Sequence, residues 1–195
     1  MRLLLYPKYL TMNFLKIIAI FLFSTTNAQY SDTSYLRVLG GYEKNGLLAH
    51  VSYDKHVSFD AFIRFSLEGQ FEKYNFQNQT IPVQLGIFNI GYFQRLLSFD
   101  VEETTNIYIG GGLLGGYENI NNGKKELSNN SEVLFKSKFI YGLSGSIQLD
   151  VYLFEAGKHA DGGFFLIIDG GYNYFMNSDV GTIQPVLRMG FKITI

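Results

Sequence analysis

Between Ser137 and Phe154 the chain alternates in character with a period of two. Phe139, Tyr141, Leu143, Gly145, Ile147, Leu149, Val151 and Leu153 fall on one face, and Lys138, Ile140, Gly142, Ser144, Ser146, Gln148 and Asp150 on the other. Such a period predicts a β-strand with one apolar and one largely polar face. At roughly 3.3 Å per residue the segment crosses a bilayer core even when tilted. Strands of globular domains are usually about five or six residues long. The length and regularity therefore point to a membrane barrel, apolar outward and polar inward.

The same reading along the chain predicts eight strands: Tyr35 to Tyr42, Leu47 to Tyr53, Phe59 to Tyr74, Ile81 to Gln94, Asn106 to Glu118, Ser137 to Phe154, Gly163 to Met176 and Thr182 to Ile195. In the third, Phe59, Ala61, Ile63, Phe65 and Leu67 oppose Asp60, Arg64, Ser66 and Glu68. In the eighth, Ile183, Leu187, Met189, Phe191, Ile193 and Ile195 oppose Gln184, Arg188, Lys192 and Thr194. The fourth is ambiguous, because Gln84 and Gln94 lie on one face and Asn89 on the other, which suggests a register shift at a bulge. Gly110, Gly111, Gly112, Gly115 and Gly116 in the fifth suggest a bend or close packing. The expected architecture is all-β, an eight-stranded antiparallel transmembrane β-barrel of the outer-membrane type. An even strand count returns both ends to the periplasm and places the longest connection, Asn119 to Lys136, outside.

The amino terminus supplies a route of export. Ile17 to Phe23 is an apolar run behind Lys16, followed by Ser24, Thr25, Thr26, Asn27 and Ala28, the layout of a secretory signal peptide cut after Ala28. The run is too short for a spanning helix. Residues 1–28 are thus expected to be the leader and residues 29–195 the barrel, with Met12 as an alternative start to Met1. Sixteen Lys and Arg against 17 Asp and Glu leave no charge excess for nucleic acid, so direct DNA binding is not expected. The absence of Cys excludes disulfides, thiolate metal sites and an acylated cysteine anchor. Three Pro and no Trp, against 21 Gly, 14 Tyr and 18 Phe, suit a β-structure with interfacial aromatics such as Tyr141, Tyr172 and Tyr174.

Candidate chemistry is sparse. His50 and Ser52 share one face of the second strand, with Glu68 available to orient the histidine, so a lipid-modifying barrel enzyme is conceivable. Period-two neighbours arise in every barrel strand, however, and ordinary lumen residues account for the same pattern. His56 and His159 fall in expected periplasmic turns. Glu68, Asp150 and Asp169 point inward from different strands, where Arg64, Arg188 and Lys192 would neutralise them rather than a cation. The glycines at 110–112 lack the flanking Lys and Ser or Thr of a phosphate loop. No catalytic residue, cofactor or metal site is expected.

Two resemblances add to the residue pattern. Arg188, Gly190, Ile193 and Ile195 resemble the terminal-strand signature that barrel assembly machinery reads in outer-membrane proteins, although an ordinary amphipathic final strand carries the same letters. Gly116, Tyr117, Glu118, Asn121, Gly123, Lys124, Lys125 and Leu127, followed by Lys138, Phe139, Ile140, Tyr141 and Gly142, resemble the conjugative transposon protein TraO family of Gram-negative mobile elements. Ile81, Pro82, Val83, Gly91 and Tyr92 add weaker support. The resemblance implies an exported component of a conjugative transfer apparatus, with other transfer proteins as partners; the periodicity adds outer-membrane lipid as a partner, and the sparse chemistry a non-enzymatic role. A general envelope barrel for adhesion or surface protection is the competing reading from periodicity alone.

Overall fold

The computed structural model describes residues 33–44, 46–76, 79–99, 104–124, 136–155, 163–179 and 181–195. The expected leader, His159 and Lys125 lie outside them. Eight strands follow in order: β1 (Ser34–Glu43), β2 (Gly46–Ser58), β3 (Ala61–Phe76), β4 (Gln79–Ser98), β5 (Thr105–Ile120), β6 (Lys138–Glu155), β7 (Gly163–Phe175) and β8 (Ile183–Thr194), with a single helical turn at Asn121–Gly123. Each strand pairs antiparallel with the next, and β1 pairs with β8, so the sheet closes into a barrel. Thr33 and Ile195 lie at one end, here the terminal end. The β1–β2, β3–β4, β5–β6 and β7–β8 connections lie at the other, here the distal end.

Alternation decides which way each side chain points. On β6, Phe139, Tyr141, Leu143 and Ile147 are exposed on the outer wall, whereas Ile140, Gln148 and Asp150 are buried. On β8, Leu187, Met189 and Phe191 are exposed, and Val186, Arg188 and Lys192 are buried. Tyr141, Tyr172 and Tyr174 also lie on the outer wall. A wall this apolar on its exposed side is the opposite of a water-facing surface, and closure gives every strand a neighbour on both sides.

Several strand details depart from the expectation. No mid-strand shift divides β4: Ile81, Val83, Leu85, Ile87 and Phe93 all face inward, and Gln84 is exposed with Phe88 and Ile90. The register changes only between Arg95 and Leu97, beyond the expected end of the strand. The pattern misled because this strand has apolar residues on both faces. His56 is not in a turn but inside β2, which runs on to Ser58, and its ring packs against Tyr35 and Phe62. Asn119 and Ile120 extend β5 rather than opening the loop. Further bulges at His56/Ser58 and Tyr152/Phe154 join the one in β4 at the terminal rim, where bulges commonly end pairing in barrels.

The glycines of β5 serve close packing. A Cβ on Gly110 would stand 2.4 Å from the Phe93 ring, and one on Gly112 would stand 2.2 Å from the Ile90 carbonyl oxygen. The bare Gly110 leaves room for Phe93 in the lumen beside Phe62, whose ring stacks on it at 5.1 Å.

Candidate functional site

The lumen has three layers. At the terminal end, Phe62, Phe93 and Tyr108 form an apolar plug, extended by His56, Tyr35 and Phe165. Two cations cap it from the middle layer: the Arg64 guanidinium lies 3.9 Å from the Phe93 ring centre, and Lys192 Nζ lies 4.4 Å from both Tyr35 and Phe165. Such cation–aromatic contacts are worth most where water is excluded.

The middle layer is an ionic network. Arg64 donates from Nε and Nη2 to the two oxygens of Asp54 at 2.9 Å each, and from Nη2 to Gln148 Oε1 at 2.6 Å. Arg188 donates to Glu68 Oε2 at 2.6 Å and to Asp169 Oδ1 at 3.1 Å. Lys192 and Gln148 both donate to Asp150. Arg37, 0% exposed, stands 3.5 Å from both Asp54 and Asp169. Four acids and four bases, Asp54, Glu68, Asp150 and Asp169 with Arg37, Arg64, Arg188 and Lys192, therefore balance. The anticipated neutralisation of Glu68, Asp150 and Asp169 by Arg64, Arg188 and Lys192 is present. Asp54 and Arg37 complete it unannounced, although the inward alternation of His50, Ser52 and Asp54 carried the signal.

The distal layer is split. Ile81, Val83, Leu85, Ile87, Leu114, Ile120, Ile140 and Phe175 form an aliphatic wall on β4 to β7. Across from it, Glu43, Gln70, Glu72 and Gln184 are buried on β1, β3 and β8. A cavity of about 30 Å³ beside His50, Arg64, Glu68, Asn89, Asp169 and Arg188 has room for about two waters.

His50 Nδ1 lies 3.0 Å from Glu68 Oε2, so a carboxylate does orient that ring. The arrangement stops short of a nucleophile and base: His50 Nε2 and Ser52 Oγ are both buried and neither has a hydrogen-bond partner among the described residues, so they do not bond each other. Glu68 is also engaged by Arg188. Among the described residues, no group of three His, Cys, Asp or Glu side chains is placed to hold a metal ion.

At the distal rim the residues around the long loop separate. Tyr117 is on the outer wall and packs edge-on against Phe139 at 5.2 Å. Glu118, 0% exposed, turns into the lumen and accepts from Ser178 Oγ at 2.7 Å, while Asp179 of the same connection pairs with Lys138 at 2.6 Å. Asn121, Asn122 and Gly123 have φ of 53°, 53° and 75°, a left-handed run that Asn and Gly tolerate best. Asn121 Nδ2 donates to the Lys124 carbonyl at 3.0 Å, which closes that turn. Ser137 Oγ accepts from Ile120 N at 3.0 Å and ties the two ends of the loop together. Lys124 is exposed beyond the turn. In β8, Arg188 belongs to the ionic network, and a Cβ on Gly190 would meet the Val38 carbonyl oxygen at 2.2 Å. Ile193 and Ile195 face outward.

A closed eight-stranded antiparallel barrel with an apolar outer wall and an ion-paired lumen defines the outer-membrane barrel class. The fold is that of the N-terminal barrel domain of Pseudomonas aeruginosa OprF, with a TM-score of 0.55 and 11% identity over 86% of this chain and 100% of that one. Neisserial surface protein A is equally similar, with a TM-score of 0.55 and 11% identity over 84% of this chain and 97% of that one. Within that class the chain belongs to the conjugative transposon protein TraO family, whose model matches residues 12–195. No curated protein matches it significantly.

Proposed function

We propose that this protein is a non-enzymatic outer-membrane component of a conjugative transposon transfer apparatus. It is exported by cleavage after Ala28 and inserted through recognition of Arg188, Gly190, Ile193 and Ile195 by barrel assembly machinery. The carrying observation is a TraO-family barrel whose lumen is filled along its length by an aromatic plug, an ionic network and an aliphatic wall. Eight-stranded barrels have interiors about the width of their own side chains. A DNA strand has no path through such a lumen, and the work of the protein falls to its surface and loops.

The docking element in this reading is the β5–β6 connection, expected over Asn119 to Lys136 and beginning at Asn121. The left-handed turn at Asn121 to Gly123 closes the end of β5 where the connection begins, and exposed Lys124, with Lys125, gives it positive charge. Tyr117 marks its base on the outer wall, whereas Glu118 fastens the neighbouring connection from within. Conserving Ile120 and Ser137 as the loop's tie and replacing 124–136 with a short Gly-containing turn should leave the barrel inserted, because closure depends on strand pairing. Mating frequency should fall while outer-membrane abundance stays constant. Unchanged transfer at normal abundance would remove the loop from the mechanism, and recovery of the mature chain in the soluble periplasm would refute the location.

A further inference from the structure

Opposite the aliphatic wall, the distal lumen gathers more hydrogen-bond acceptors than donors among the described residues. Glu43 ends β1, and Glu72 lies on β3; both are register partners of Gly46 on the intervening strand β2. Because Gly46 has no side chain, none stands between the two carboxyls, which come within hydrogen-bonding reach of each other. Both residues are buried, and apart from each other Glu43 Oε1, Glu43 Oε2 and Glu72 Oε2 have no hydrogen-bond partner among the described residues.

Gln184 points independently to a ligand. It is 2% exposed, its Nε2 donates to Glu72 Oε1 at 3.4 Å, and Oε1 of the same amide has no partner among the described residues. Gln70, between Glu68 and Glu72 on the inner face of β3, donates from Nε2 to Glu68 at 2.8 Å, and its Oε1 has no partner among the described residues. Arg188, the base nearest in the network, is held by Glu68 and Asp169.

Two buried carboxylates this close cannot both carry charge unless a proton or a cation lies between them. The free atoms are all oxygens, two of them amide carbonyls, which is a donor set for a hard cation rather than for a nitrogen- or sulfur-seeking metal. We propose that Glu43, Glu72, Gln184 and Gln70 hold a calcium ion at the distal mouth of the lumen, with water completing its shell. Calcium suits a set drawn from β1, β3 and β8 because it accepts six to eight oxygens in variable geometry, whereas magnesium demands a near-ideal octahedron. The ion would bind the start of the sheet to its last strand.

The test uses the barrel purified from membranes in a zwitterionic detergent and stripped with EDTA. Equilibrium dialysis with radioactive calcium should give one ion per barrel, half-saturated at about 10⁻⁴ to 10⁻³ M as for extracellular calcium modules. Glu43→Gln and Glu72→Gln should each weaken binding at least tenfold. Both keep the side-chain shape and remove charge repulsion, so their melting temperature in EDTA should be no lower than that of the unaltered protein. Gln184→Leu should weaken binding although both carboxyls remain. Absence of saturable binding, or binding undiminished in the Glu43→Gln, Glu72→Gln double variant, overturns the proposal. Melting of the unaltered protein that follows pH but ignores calcium identifies a shared proton instead and overturns it equally.

Discussion

Replacing Arg64 with Met should be the most damaging single change in the lumen. Its guanidinium makes paired 2.9 Å hydrogen bonds to Asp54, a 2.6 Å bond to Gln148, and a contact 3.9 Å from the Phe93 ring centre. Without it, Asp54 keeps only Arg37, 3.5 Å away and not hydrogen-bonded, while Asp169 is still held by Arg188 at 3.1 Å. Breaking a buried pair so that one charge is stranded costs about 3–5 kcal/mol. The lost ring contact adds about 1–2 kcal/mol where water is excluded. Because these terms overlap on one side chain, the expected loss is about 4–6 kcal/mol rather than their upper sum. Removing both charges, in Arg64→Met with Asp54→Leu, leaves no stranded partner, and the double variant should recover most of the loss. Urea titration in lipid vesicles, followed by circular dichroism because the chain has no Trp, measures all three variants. A single-variant loss under about 1 kcal/mol, or a double variant no better than the Asp54→Leu single, would refute the pairing argument.

Ile147→Arg, at the centre of β6 on the outer wall, should cost about 2–4 kcal/mol if that wall meets the bilayer midplane, and equal stability in thin and thick lipid would argue against it. Gln148→Arg, one position along, should also be harmful, because Gln148 is fully buried between Arg64 and Asp150 and a further cation would sit against Arg64. Gly110→Val should lose about 1–3 kcal/mol by driving into the Phe93 ring, whereas Gly40→Ala, with nothing within 4 Å of its Cβ, should leave the unfolding midpoint unchanged. His50→Ala and Ser52→Ala should leave the lipid A and phospholipid profile of the host as it is by mass spectrometry, and a changed profile would revive an enzymatic reading.

The strand count, the closure and the inward set of β6 and β8 were legible in sequence because one face of those strands is apolar and the other polar. Alternation fails where both faces are apolar. In β4 the aliphatic wall of Ile81, Val83, Leu85 and Ile87 faces in while Phe88 and Ile90 face out, so Gln84 and Asn89 suggested a shift that the strand does not make. The early end given to β2 had the opposite root: past Tyr53 the consecutive polar residues Asp54, Lys55 and His56 look like a turn, yet Asp54 is paired with Arg64 and His56 packs against aromatic rings. Those partners come from other strands, and nothing local announces them. Arg37 was invisible as a network member for that reason. Around the long loop the reverse holds, since Asn121 and Gly123 carry a left-handed turn that their residue types alone make favourable, whereas the inward turn of Glu118 follows only from the parity of β5.

The seam between β1 and β8 has a kinetic consequence. Nine register pairs, from Tyr35 with Thr194 to Glu43 with Val186, join the two ends of the described chain, and Ile195 N reaches Ser34 O at 2.9 Å. Every other pairing in the sheet joins strands adjacent in sequence. Seven hairpin interfaces can therefore zip locally, but the eighth closes the longest loop the chain offers and meets the largest entropic toll. Until β8 arrives, β1 presents a free edge able to pair with any exposed strand nearby. Slow closure should thus be confined to one step, visible as a lag between strand formation by circular dichroism and protection of the β1 amides, and a variant weakened only at Gly41 or Gly190 should lengthen that lag without changing the earlier phase.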